Sequence, residues 1–127
     1  MTQKSENINE FWKEFHEAVV DSGVAKTMAI WICDQNKLDK QGCIGAPDIT
    51  VEILSPSTSY KDQTEKLLLY EKHGVKEYWI VNPDAKYVMI YRLEGVKYAK
   101  PEYLSENDTL ESRALEGLMI DLSEIWA

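Results

Sequence analysis

The sequence predicts an α/β or α+β domain built on one mixed β-sheet flanked by helices, and three stretches carry that expectation. Gly45 to Leu54, GAPDITVEIL, reads as a strand that passes through a short SPSTS turn into a helix, Tyr60 to Gly74 (YKDQTEKLLLYEKHG). Thr27 to Cys33, TMAIWIC, is a continuous apolar run of strand length, which suits a central strand covered on both faces. EYWIV (Glu77 to Val81) and YVMIYRL (Tyr87 to Leu93) flank the turn Asn82-Pro83-Asp84-Ala85 and read as a hairpin.

Taken in order, Asn7 to Asp21 has Ile8, Phe11, Trp12, Phe15 and Val19 near helical spacing, and Ser22-Gly23 ends it. His16 lies beside that stripe and reads as a boundary residue. After the apolar strand, Asp34 to Gly45 is polar and glycine-punctuated, a loop that delivers the chain into the next strand, which is expected to pair with the first. Within ITVEIL, side chains alternate, so Ile49, Val51 and Ile53 share one face while Asp48, Thr50, Glu52 and Leu54 share the other. The hydroxyls of Ser55 to Ser59 offer N-caps, Asp62 suits the positive helix start, and Gly74 sits at the C′ position. Leu67, Leu68 and Leu69 are expected to form a broad buried face. A weak strand around Lys97 to Tyr103, an acidic loop and a short helix at Leu122 to Trp126 complete the order.

The 127 residues fit one domain, burying roughly two-thirds of the unfolded surface. No run approaches the ~20 apolar residues of a membrane span, and MTQKSENINE has no apolar signal region, so a soluble cytoplasmic protein is expected. Cys33 and Cys43 are too few for a disulfide framework and lack metal-site spacing with His16 and His73; they read as reduced structural thiols. A net charge of −8 argues against a generic nucleic-acid-binding surface. The charge is uneven, however. Residues 1 to 21 hold two basic and five acidic residues and residues 101 to 127 hold one and seven, which leaves the middle near neutral.

The chemistry centres on Glu52. A carboxylate in so apolar a strand costs several kcal/mol or so to desolvate unless a cation, metal or donor faces it. Asp62, Lys66 and Tyr70 fall at i, i+4 and i+8 on one stripe of the following helix, and a helix folding back over the strand brings Lys66 towards Glu52. Metal-dependent phosphodiester cleavage needs acidic oxygens around a hard divalent cation and a lysine for the phosphate or attacking water. A D…E-x-K strand motif supplies these. Here Leu54 occupies the in-strand lysine position and Lys66 is the substitute; a structural Glu52–Lys66 ion pair is the competing explanation. Asp48 shares the Glu52 face, but four residues of strand is about 13 Å, too far for both to hold one ion. Asp48 therefore reads as a strand-start or supporting residue.

GAPDITVEILSPSTSYKDQTEKLLLYEKHGVKEYWIVNP resembles the Uma-type (Uma-two) family of restriction endonucleases, within the PD-(D/E)XK nuclease superfamily. That family reads GAPD-x-x-x-E-I-L-S-P-S-T, D-x-x-x-K-x-x-x-Y and G-V-x-E-Y-W-x-x-x-P. These positions are Asp48, Glu52, Ser55 to Thr58, Asp62, Lys66, Tyr70, Gly74, Val75, Glu77, Tyr78, Trp79 and Pro83. The likeness spans roughly Ile30 to Trp126. It implies a restriction-endonuclease-like mixed sheet, a magnesium or manganese cofactor and DNA as partner, and leaves a homodimer open. It also implies site residues: Glu52 as metal ligand, Lys66 facing the phosphate, Asp48 in the catalytic set, and Asp62 and Tyr70 in support.

The departures define the alternative. Family members carry a Q-P-D strand whose aspartate binds the metal, and Lys26, Thr27 and Met28 align there, which replaces that aspartate at Met28. Residues 1 to 25 do not resemble the family's opening, so an N-terminal helix in 1 to 25 and a partial endonuclease-like domain in 26 to 127 are expected. Two functions follow: a magnesium-dependent DNA endonuclease, or a catalytically inactive nuclease remnant or protein-interaction domain.

Overall fold

The computed structural model describes residues 2–5, 28–33, 38–39, 42–43, 45–55 and 60–126. The expected helix over Asn7 to Asp21 and the Pro56 to Ser59 part of the turn lie outside them. Among the described residues the main sheet has seven strands. β1 (Thr2–Ser5) pairs in parallel with β2 (Met28–Ile32), and β2 pairs antiparallel with β5 (Ile49–Ile53). β5 pairs in parallel with β6 (Glu77–Asn82), and β6 forms an antiparallel hairpin with β7 (Tyr87–Glu94). β8 (Lys97–Tyr98) and β9 (Glu102–Leu104) both return onto β7. The weak strand expected over Lys97 to Tyr103 is thus two strands, split around Pro101, which has no N–H to give a ladder.

Parallel β5 and β6 need a crossover, and helix α1 (Tyr60–Lys72) provides it. The helix ends in a Schellman pattern. Gly74, at φ +76°, donates to Glu71 O, and Val75 N donates to Tyr70 O, each at 3.1 Å. Tyr98 then fastens this end to the sheet: its hydroxyl donates to Val75 O at 2.7 Å and its backbone N–H to the Glu71 carboxylate at 2.9 Å.

One face of the sheet carries Ile30, Ile32, Ile49, Val51, Ile53, Trp79, Val81, Val88 and Ile90, covered by the C-terminal segment. There an antiparallel hairpin of β10 (Thr109–Glu111) and β11 (Met119–Asp121), with the 3-10 turn Leu122–Glu124, inserts Leu110, Leu118, Ile120, Leu122 and Ile125. The hairpin stands where an acidic loop was expected, because Leu110 and Ile120 alternate with exposed polar and methionine positions over only three residues per strand. The terminal helix is likewise shorter than expected, a single turn ending at Glu124.

Three further expectations are corrected. Leu68 and Leu69 are 60% and 49% exposed, since successive residues are turned by about 100° around a helix and three adjacent leucines cannot all face one sheet. Cys33 is disulfide-bonded rather than reduced; a count of two cysteines excludes a framework but says nothing about a single bridge. The polar loop after β2 also holds a minimal antiparallel ladder, β3 (Leu38–Asp39) with β4 (Gly42–Cys43).

Candidate functional site

Every residue of β5 is buried, because the C-terminal hairpin covers one face and α1 the other. Strand alternation puts Thr50 and Glu52 on the helix-facing side. Register extends that side across the sheet: Ala29 lies opposite Glu52 and Trp31 opposite Thr50 on β2, and Tyr78 beside Thr50 and Ile80 beside Glu52 on β6. Lys66 reaches down from α1 and sets its Nζ 2.5 Å from Glu52 Oε1. The carboxylate is 1% exposed while the lysine side chain is 41% exposed, so the pair joins the interior to the surface.

This side of the sheet is under-satisfied. Among the described residues, Thr50 Oγ1 and Tyr78 Oη are buried without hydrogen-bond partners, and the Glu52 carboxylate is paired with Lys66. Burial raises the Glu52 carboxyl above the ordinary glutamate value of 4.5, and the hydrogen bond and charge of Lys66 oppose the rise without cancelling it. Tyr70 packs edge-on against Tyr78, ring centroids 4.9 Å apart. Burial first, and the Glu52 charge second, push the Tyr70 hydroxyl up to about 12, while a hydrogen bond from Trp31 acts the other way. Tyr78 is raised for the same two leading reasons. Both phenols stay protonated at neutral pH.

The structure therefore brings Glu52, Lys66 and Tyr70 together. Asp48 is elsewhere: buried at the start of β5, it pairs with Lys76 Nζ at 3.3 Å, and its backbone bridges Ile32 O and Glu77 N. Asp62 lies on the first turn of α1, and its side chain is outside the described residues. Met28 pairs with Ile53 in the β2–β5 register, and its side chain is outside the described residues. The position facing Glu52 is Ala29.

That register decides the fit of a divalent metal. Mg²⁺ is usually held by one or two carboxylates plus waters and substrate phosphates. Among the described residues the one carboxylate at the site, Glu52, is shielded and already bound to an ammonium, and its cross-strand neighbour is a methyl group. Among the described residues no group of three or more His, Cys, Asp or Glu side chains is placed to hold an ion. The described residues do not make a catalytic magnesium site.

Reading residues for charge and spacing passes over Ala29, Thr50 and Tyr78, which are neutral and matter only through register. It also passes over Glu77. This carboxylate is 1% exposed on the opposite face and accepts from Trp79 Nε1 and Ser112 Oγ at 3.0 Å, Arg113 N at 2.7 Å and Ala114 N at 3.0 Å. It holds the C-terminal segment under the sheet. Its signal in sequence was its place in the G-V-x-E-Y-W pattern beside Trp79, which marks the position without showing what it binds.

Comparison with known proteins agrees with this geometry at the level of fold and family. The family model described as "Uma2: Putative restriction endonuclease" matches residues 29–123, a span that begins at the residue facing Glu52. A crystal structure described as "a putative nuclease belonging to DUF820" from Anabaena variabilis superimposes with a TM-score of 0.63 at 19% identity, covering 94% of this chain and 77% of that one. No curated protein matches the sequence. Among the described residues no helix is long and apolar enough to cross a membrane.

Proposed function

The chain belongs to the Uma2 family, and from that membership we propose that it is a DNA-directed member whose endonuclease site is reduced to Glu52 and Lys66. It engages DNA and cleaves it weakly or not at all with magnesium. The observation that carries this reading is Ala29, a side chain with no acidic group, opposite Glu52 in the β2–β5 register. A single desolvated carboxylate leaves magnesium mostly hydrated and poorly placed, so the power to polarise a phosphate or generate hydroxide is lost. Lys66, half exposed beside Glu52, remains as the phosphate-facing cation. Tyr70 and Tyr78, kept protonated by burial and by the Glu52 charge, wall the site and are hydroxyl donors at neutral pH. Asp48, with Lys76, secures the start of β5 and through it the position of Glu52.

The second reading, a competent magnesium-dependent endonuclease, is favoured by the Glu52–Lys66 contact itself. One experiment separates them: the purified chain is incubated with labelled DNA and Mg²⁺ or Mn²⁺ beside Glu52→Gln, and binding is followed by anisotropy. The expected result is DNA binding with cleavage no greater than that of the variant. Robust cleavage by the parent that disappears in Glu52→Gln overturns the reduced-site reading.

A further inference from the structure

The β-sheet face that carries Glu52 does not end under the helix. Register runs Glu52 to Ile80 on β6, Ile80 to Met89 on β7, and Met89 to Tyr103 on β9, a straight row across four strands. At about 4.8 Å per strand, Tyr103 lies about 14 Å from Glu52 on the same side. Helix α1 covers the Glu52 end and leaves the other open. Tyr103 is 67% exposed, and the Tyr87 ring stands beside it at 6.1 Å and 47°. Leu104, next in the strand, is buried on the opposite face, so β9 cannot roll to hide the tyrosine.

A large exposed aromatic held rigidly by its strand needs a reason, and the charges around it suggest one. Lys86, held at φ +55° in the turn before Tyr87, is 45% exposed and lies 4.0 Å from the Glu106 carboxylate. Lys66 stands at the other end of the row, also partly exposed. Glu52 and Ile80 are buried, so the accessible part of the row is its Tyr103 end, where Tyr103 and Tyr87 form an aromatic surface with Lys86 in the turn beside it. We propose that Tyr103, with Tyr87 and Met89, is a stacking site for an unpaired nucleobase of a single strand whose flanking phosphate meets Lys86.

This inference rests on the DNA reading above and narrows it to a substrate class. A chain of net charge −8 gains little from phosphate neutralisation, which is the main source of affinity for duplex. Stacking is largely indifferent to net charge and is available only where bases are unpaired.

Tyr103 is at the surface, so its replacement leaves the fold intact. Fluorescence anisotropy with a labelled oligo-dT, a labelled hairpin duplex and an abasic oligomer of equal length tests the site on the full chain. The parent should bind oligo-dT more tightly than either control. Tyr103→Ala should weaken oligo-dT binding roughly tenfold or more, and Tyr103→Phe, which keeps the ring, should restore most of it. Equal oligo-dT affinity in the parent and Tyr103→Ala, or a preference for duplex, overturns the platform while leaving DNA binding standing. Failure of the parent to bind any of the three overturns the DNA reading itself and this inference with it.

Discussion

Lys66 Nζ lies 2.5 Å from Glu52 Oε1, and the two ends of that contact face different surroundings, a carboxylate shut inside the sheet and an ammonium open to water. Removing the lysine leaves a buried charge without a partner, whereas removing the charge from Glu52 leaves a polar amide and a lysine that can turn to solvent. Breaking a fully buried pair costs about 3 to 5 kcal/mol, and solvent access at Lys66 reduces that. Lys66→Ala is expected to destabilise by about 2 kcal/mol and Glu52→Gln by less. Urea denaturation of the three proteins measures the order; Lys66→Ala melting like the parent would mean that water replaces the lysine without loss.

The same pair sets a pH dependence with a definite sign. Burial raises the folded-state Glu52 carboxyl above its unfolded value, so the folded protein binds that proton more tightly. Between the ordinary value of 4.5 and the raised one, the folded state carries more protons, and this group's contribution to stability falls as pH rises. Below 4.5 both states are protonated and the contribution is flat. The parent should therefore lose stability relative to Glu52→Gln as pH rises from 4.5, read as the difference in urea midpoints. A difference that moves the other way would show that Lys66 outweighs desolvation.

Glu77 offers a test of the fold that does not touch the site. Four donors converge on its carboxylate, two of them backbone N–H groups of the C-terminal segment. Glu77→Ala strands those donors, three of them from the C-terminal segment that covers the core face, and should cost more than about 3 kcal/mol by thermal or chemical unfolding. Glu77→Gln should fall between the variant and the parent, since its oxygen still accepts but its amide faces donors. A neutral Glu77→Ala would show that the C-terminal cover is held by its apolar residues alone.

How much of this was readable in sequence follows from the range of each interaction. The period-2 run of ITVEIL and the i, i+4, i+8 stripe of Asp62, Lys66 and Tyr70 are local, and they led directly to the Lys66–Glu52 contact. The pairing of β2 with β5 was also legible, but its register was not. A run such as TMAIWIC is apolar on both faces, so nothing in its pattern distinguishes Met28 from Ala29 as the neighbour of Glu52. The Glu77 clamp depends on contacts 35 to 37 residues away, and no local pattern announces it.

Ala29 is where the reduced site can be rebuilt. Directly opposed residues on antiparallel strands have Cβ atoms ~4.5 to 5.5 Å apart, so Ala29→Asp sets a second carboxylate within reach of an ion held by Glu52. Without metal, two buried carboxylates repel each other and the variant should be less stable than the parent by a few kcal/mol. A divalent ion that binds only the folded state removes that repulsion, so Mn²⁺ should raise the melting temperature of Ala29→Asp far more than that of the parent. Calorimetric titration with Mn²⁺ should show the same order. Met28→Asp is the matched control: position 28 pairs with Ile53, so it should lose stability without gaining manganese affinity. Manganese binding by Met28→Asp and not by Ala29→Asp would shift the β2–β5 register by one residue and place the lost ligand at position 28 after all.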